Sequence, residues 1–206
     1  GRTHKVPLKS IFRSDLFGWS VFDEERNIDF NGTLWVRPQG NVLIDPLPLI
    51  EHDKKQLESL GGAAHVIITN SDHIRGAAKI LSLTGAKCWG PLAEKEQFPL
   101  DCDGWLQDGD EPISGIKVFS FNGSKTPGEL AILIDEITLV TGDLIRAHEG
   151  GCLCIMPDAK LKNRELAVES IKRMASIKNI QAVTPGDGWP VFSQGHEALL
   201  ELAGKL

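Results

Sequence analysis

The sequence predicts an α/β fold made of two βα-type halves, and three patterns carry that expectation. The chain opens with short apolar runs separated by turn dipeptides, as an antiparallel meander does. From about residue 64 it changes to an alternation of strand, helix, strand and helix. Beyond Trp105 it returns to hairpins, then closes on helix, strand and helix.

Residues 1–15 are basic and irregular and read as an N-terminal arm held only by Val6, Leu8, Ile11 and Phe12, ahead of a single domain over residues 16–206. Strands are expected over residues 18–22, 30–37 and 41–44, with turns at Asn31-Gly32 and Gln39-Gly40. A helix follows over residues 49–60, with Leu49, Ile50, Leu57 and Leu60 inward, stopped by Gly61-Gly62. The β-branched run from Ala64 is a buried strand, and Ile74, Ala77, Ala78 and Leu81 mark the helix after it. Residues 87–90 form a short strand and residues 91–98 a helical turn led by proline.

In the second half, turns at Asp108-Gly109-Asp110 and Ser114-Gly115 separate strands over residues 116–121, 129–134 and 138–141. A helix over residues 164–177 turns Leu166, Val168, Ile171, Met174 and Ile177 inward, before a last strand at 181–184 and a closing helix at 196–202. The halves share element order but no residue-level repeat.

The 206 residues are 41% hydrophobic, enough for a sizeable core. The formal charge of −6 and the lack of a long basic run argue against nucleic acid as a partner and leave a small molecule or a protein as the default, a small-molecule substrate being the expectation. No apolar run reaches the roughly 20 residues that a membrane-spanning helix needs, so no membrane partner is expected. Cys88, Cys102, Cys152 and Cys154 show neither a disulfide framework nor paired zinc spacing, which points to an intracellular, reducing compartment. That is the cytoplasm, or a plastid if a targeting segment once preceded Gly1. An apolar patch on the opening meander leaves a homodimer open.

Candidate chemistry lies at strand ends. The stretch A-H-V-I-I-T-N-S-D-H-I-R-G, from Ala64, delivers Asp72 and His73 to a strand-to-helix hand-over, although taken alone it reads better as a helix start capped by Ser71 or Asp72. Asp45 ends N-V-L-I-D-P, Lys125 lies in G-S-K-T-P-G-E, Asp143 in L-V-T-G-D-L and Asp187 in V-T-P-G-D-G-W-P. Each alone also reads as a plain turn. Their order along more than a hundred residues is the informative feature.

In that order they resemble the metallo-beta-lactamase superfamily, and specifically a divergent branch of predicted metal-dependent hydrolases. The family's His-x-His-x-Asp-His falls on Ile68 to His73, with Ile68 and Asn70 in place of the first two histidines. Lys125 takes the place of the histidine before Thr-Pro-Gly, and Asp187 that of the histidine in Pro-Gly-His-Gly. The resemblance spans about residues 29–196 and implies a four-layer αββα sandwich.

It also implies a first metal site walled by Ile68, Asn70 and Lys125, which cannot hold an ion, because an ammonium repels a divalent cation. The second site would have Asp72, His73, Asp143 and Asp187 as ligands for one divalent ion, Zn, Mn or Fe, or would be metal-free. The implied chemistry is hydrolysis of a small ester, thioester or lactone, with Asp72, Lys125 and Asp143 as the catalytic groups. The alternative is a non-catalytic binding or regulatory protein that has kept the fold. Asn70, Arg146, His148 and Trp189 are weaker pocket candidates, and Cys152 and Cys154 are more in keeping with packing than with a soft-metal site.

Overall fold

The computed structural model describes residues 3–10, 13–149 and 152–206. Its first sheet has seven strands in the order β1 (Thr3–Ser10), β2 (Leu16–Asp23), β3 (Ile28–Trp35), β4 (Val42–Ile44), β5 (His65–Ile67), β6 (Lys87–Pro91) and β7 (Gly104–Leu106). The first four are antiparallel and the last three are added in parallel. The crossovers are α1 (Glu51–Ser59), α2 (Ala77–Thr84) and a 3-10 helix over Leu92–Gln97.

The second sheet is built from β8 (Ile116–Ser120), β9 (Leu130–Ile134), β10 (Thr138–Thr141) and β13 (Ala182–Pro185), in the order β13-β10-β9-β8. Between β10 and β13 the chain makes a hairpin of β11 (Ile145–Glu149) and β12 (Cys152–Ile155), then α3 (Arg164–Ala175); α4 (Gly195–Gly204) ends it.

Period-2 alternation sorts the apolar side chains into three cores, and so fixes four layers. Val42 and Ile44 of β4, Ile67 of β5 and Leu130, Ile132 and Ile134 of β9 meet between the two sheets. Their alternates Leu43 and Val66 face Leu57 of α1 and Ile80 of α2. On the far side, Ala131 and Leu133 pack with Ile171 and Met174 of α3 and Leu199 of α4. Strands buried on both faces explain why β9 is apolar throughout. This is the αββα sandwich that the resemblance implies.

Three local expectations are corrected. Thr3–Ser10 is no irregular segment: it pairs antiparallel with β2, Leu8 is buried, and the Leu8 amide donates to Asp53 Oδ1 of α1 at 3.2 Å. Ile11 and Phe12 lie outside the described residues.

Asn31-Gly32 is not a turn but the middle of β3, and the chain reverses instead before Ile28, with Asn27 at φ +52°. Gly32 is needed there because a Cβ would stand 3.0 Å from the buried Trp19 ring. In α3 the inward face is Ala167, Ser170, Ile171, Met174 and Ala175, while Leu166 is exposed, because the helix lies rotated toward its small residues. The hairpin β11–β12 and the strand β7 are additions to the expected elements, although the Gly150-Gly151 pair in the sequence between β11 and β12 is itself a turn signal.

Candidate metal centre

The site lies where strand ends of both sheets meet. Asp45 follows β4 at φ +48°, a left-handed conformation that a residue before proline rarely takes. That turn aims its carboxylate across the sheet. Oδ1 accepts from the Thr69 amide at 2.8 Å, and Oδ2 from Thr69 Oγ1 at 2.6 Å and from His73 Nδ1 at 2.8 Å.

His73 ends the 3-10 turn Ser71–His73, which Asn70 caps through its Oδ1 on the Asp72 amide. The other ring nitrogen, Nε2, stands 2.9 Å from Asp143 Oδ1, so the imidazole spans two buried carboxylates. Burial and Arg75 oppose a charge on His73, but Asp45 and Asp143 outweigh them and raise its pKa to about 10. For Asp143, burial resists ionisation; the His73 bond and charge, with Arg146 and Arg75, overcome it and hold the carboxyl far below the usual range.

Asp187 follows β13 on a loop stitched to β3. The Asn31 amide donates to Gly186 O at 2.8 Å, and Asn31 Nδ2 donates to Pro185 O at 3.0 Å and Gly188 O at 2.7 Å. Burial, then the nearby Asp143 charge, raises the pKa of Asp187. Gly186 lets this loop pass the imidazole, since a Cβ there would stand 2.6 Å from His73 Cε1 and 2.8 Å from Gly142 O. Gly186→Ala is expected to destabilise the protein by about 1–3 kcal/mol, as overpacking does, measured as a drop in the denaturation midpoint.

Beneath these groups lies Glu129, fully buried. Oε1 accepts from the Asp143 amide at 2.8 Å and from Asn70 Nδ2 at 3.2 Å, and Oε2 from the Leu144 amide at 3.0 Å. Burial, reinforced by Asp143, raises its pKa. Glu129 thus holds the turn that presents Asp143.

Of the four expected ligands, the structure gathers three: single donor atoms of His73, Asp143 and Asp187 lie within 4.8 Å of one another. Asp72 stands apart, with Oδ2 at 2.8 Å from Lys125 Nζ on the half-exposed rim. Lys125 therefore pairs with Asp72 and not with Asp143. Asn70 is committed to Glu129 and to its cap, and Ile68 is buried in the core beneath α1 and α2.

Arg146 belongs to the centre: Nε donates to Asp143 O at 2.9 Å and lies 3.9 Å from Asp187 Oδ2. His148 and Trp189 do not, for each lines a separate hollow, His148 beside Cys152 and Cys154 and Trp189 beside Trp19. Arg75, Glu129, Arg26 and Lys160 were not singled out from sequence. Arg75 donates to the carbonyls of Asn31, Asp45 and Gly186, with Nη2 at 3.7 Å from Asp187 Oδ1.

The three donors fit one divalent ion. Asp187 Oδ1 is buried and accepts no hydrogen bond, and the Asp45 carboxylate on Nδ1 orients His73 as such carboxylates do for ligating histidines. Two oxygens and one imidazole suit Zn, Mn or Fe. A cleft of about 770 Å³ opens onto the triad, and Asp72 and Lys125 stand on its wall.

Residues 8–206 match the family model described as the metallo-beta-lactamase superfamily. No curated protein matches the chain. Among solved structures, the DIM-1 metallo-beta-lactamase superposes with a TM-score of 0.74 at 15% identity, over 98% of this chain and 99% of its own. A metallo-beta-lactamase from Pontibacter korlensis gives 0.73 at 15% identity, over 97% and 100%. The FIM-1 enzyme from Pseudomonas aeruginosa, in a mono-zinc form, gives 0.71 at 13%, over 97% and 96%. At these identities the likeness is one of fold.

Proposed function

The chain belongs to the metallo-beta-lactamase superfamily, and on that premise we propose that it is a hydrolase using one divalent ion, acting on a small ester, thioester or lactone. The observation that supports this reading best is the His73, Asp143 and Asp187 triad, in which the buried Asp187 Oδ1 accepts no hydrogen bond. An ion held there supplies a Lewis acid and lowers the pKa of water.

The chain's own groups do the rest. Asp45 fixes the His73 ring through Nδ1, and the Asp143 carboxylate is held ready by Glu129 beneath it. On the rim, the Asp72 carboxylate can accept a proton from an attacking water. The Lys125 ammonium beside it can stabilise the oxyanion that develops on the carbonyl. A second ion has no place in this reading: Asn70 is engaged, Ile68 is in the core and Lys125 is a cation.

The test is an activity screen of metal-reloaded protein on nitrophenyl esters, acyl thioesters and lactones. A kcat lowered about 100-fold by Lys125→Ala, with metal content unchanged, is the result expected. Hydrolysis of none of the three classes, with metal bound, would contradict it. One observation favours the rival reading of a non-catalytic binding or regulatory protein. The Arg75 and Arg146 guanidiniums stand 3.7 and 3.9 Å from Asp187, where their charge can do an ion's work of balancing the carboxylates.

A further inference from the structure

The cleft in front of the triad has a charge opposite to that of the chain. Overall, Asp and Glu outnumber Lys and Arg by 28 to 22. Yet among the described residues that line the cleft there are five basic side chains, Arg26, Arg75, Lys125, Arg146 and Lys160, and three acidic ones, Asp72, Asp143 and Asp187. Low-dielectric walls concentrate such a field and raise the local concentration of an ion of opposite sign.

The acids are already committed. Asp72 is held by Lys125, Asp143 by His73, and Asp187 faces Arg75 and Arg146. No carboxylate among the described residues is left to pair with Arg26 or Lys160 in the cleft.

Arg26 and Arg75 share one more feature. Their guanidinium carbons lie 5.9 and 5.6 Å from the centroid of the same ring, Phe30. Arg26 comes from the turn between β2 and β3, and Arg75 from the segment before α2. Cation–π contact fixes both, and Arg75 is held in addition by the carbonyls of Asn31, Asp45 and Gly186 and by Asp187. That leaves the exposed Arg26, on the cleft lining, with a planar fork of N–H donors that suits a carboxylate or a phosphate. Lys160 supplies a third cation, from the 3-10 turn Asp158–Lys160 after β12. Ile28 and Leu47 give the same cleft an apolar wall.

We propose that the cleft binds its substrate by a terminal carboxylate or phosphate held by Arg26 and Lys160, in the field to which Arg75 adds its charge, with the apolar body of the molecule leading to the triad. The anion site stands on the cations alone; only the identity of its ligand as a substrate rests on the hydrolase reading.

The experiment is isothermal titration with succinate and, separately, inorganic phosphate. It uses the full chain as purified and after chelator treatment, beside Arg26→Gln, Lys160→Gln and, as a remote control, Lys172→Gln. At least one anion should bind, and which one does identifies the headgroup. Both cleft variants should weaken binding about tenfold, and the control should not. Rising salt should weaken binding too, and chelation should leave it in place.

Failure to bind either anion, equal binding by parent and cleft variants, or binding lost on chelation would overturn the proposal, the last because the anion would then be a metal ligand. If the hydrolase reading alone fails, the titration still shows an anion bound without catalysis. If the anion site alone fails, metal content and ester hydrolysis persist with no preference between mono-nitrophenyl succinate and nitrophenyl butyrate.

Discussion

Alanine at His73 is expected to lower folding stability by about 3–5 kcal/mol, measured by urea unfolding of the chelator-treated protein, because it leaves buried carboxylates without their common partner. The imidazole bridges Asp45 Oδ2 and Asp143 Oδ1 at 2.8 and 2.9 Å, and all three residues are buried. Asp45 keeps two donors from Thr69 after the change, whereas Asp143 loses its one side-chain hydrogen bond and keeps only the longer-range charge of Arg146 and Arg75. Asp143 therefore accounts for most of the loss. A change below about 1 kcal/mol would mean that the bridge contributes no more than a surface ion pair.

The same bridge sets the sign of the pH dependence. The folded pKa of His73 is raised from 6.5 to about 10, so the stabilisation from its charged form is complete below pH 6.5 and disappears as pH rises through 10. The raised pKa of Glu129 acts in the same direction but over a lower range, since the contribution of its neutral form is complete below pH 4.5 and is lost as pH rises through about 8. Asp143, held low, contributes above its unfolded pKa and is lost only in strong acid. The metal-free protein should therefore lose stability as pH rises from about 4.5 to 10, and His73→Ala should flatten the part of that limb above pH 6.5.

Glu129→Ala is expected to cost a comparable amount, about 3 kcal/mol or more, because it strands the buried Asp143 and Leu144 amides and Asn70 Nδ2 without their acceptor. Glu129→Gln separates hydrogen bonding from charge. Its amide oxygen can accept for one or two of the donors, but its NH₂ must face at least one N–H, so the loss should be smaller and still clear. Equal stability of Glu129→Ala and the parent would show that these donors find other partners.

The sequence makes the strand ends legible because alternation and turn chemistry are local. The residues at which β4, β5, β10 and β13 stop, namely Asp45, the Asp72-His73 pair, Asp143 and Asp187, could be marked without knowing the sheet order. What joins them is not local. Glu129 reads as the first residue of an apolar strand, yet it becomes the floor of the centre because β9 starts beneath the Asn70 cap and the Gly142-Asp143 turn.

Arg75 reads as a charge on a helix start, and only the folded chain brings the carbonyls of Asn31 and Gly186 to its guanidinium. Asn31-Gly32 shows the reverse problem. The dipeptide has the chemistry of a turn, but the two positions meet tertiary demands, a staple for the Asp187 loop and room for Trp19. Asp72, a ligand by its place in the motif, is drawn off by Lys125, whose own replacement of a histidine creates the competing partner.

The measurement that bears most directly on the central claim is the metal content of the protein, purified without chelator or metal-affinity resin and then reloaded with Zn, Mn or Fe, beside Asp187→Ala and Asp72→Ala. The triad predicts about one equivalent in the parent, loss in Asp187→Ala and retention in Asp72→Ala, since Asp72 lies outside the donor set. No ion bound by the parent under any loading would contradict the single-metal account. It would leave the guanidiniums of Arg75 and Arg146 as the charges that complete the site.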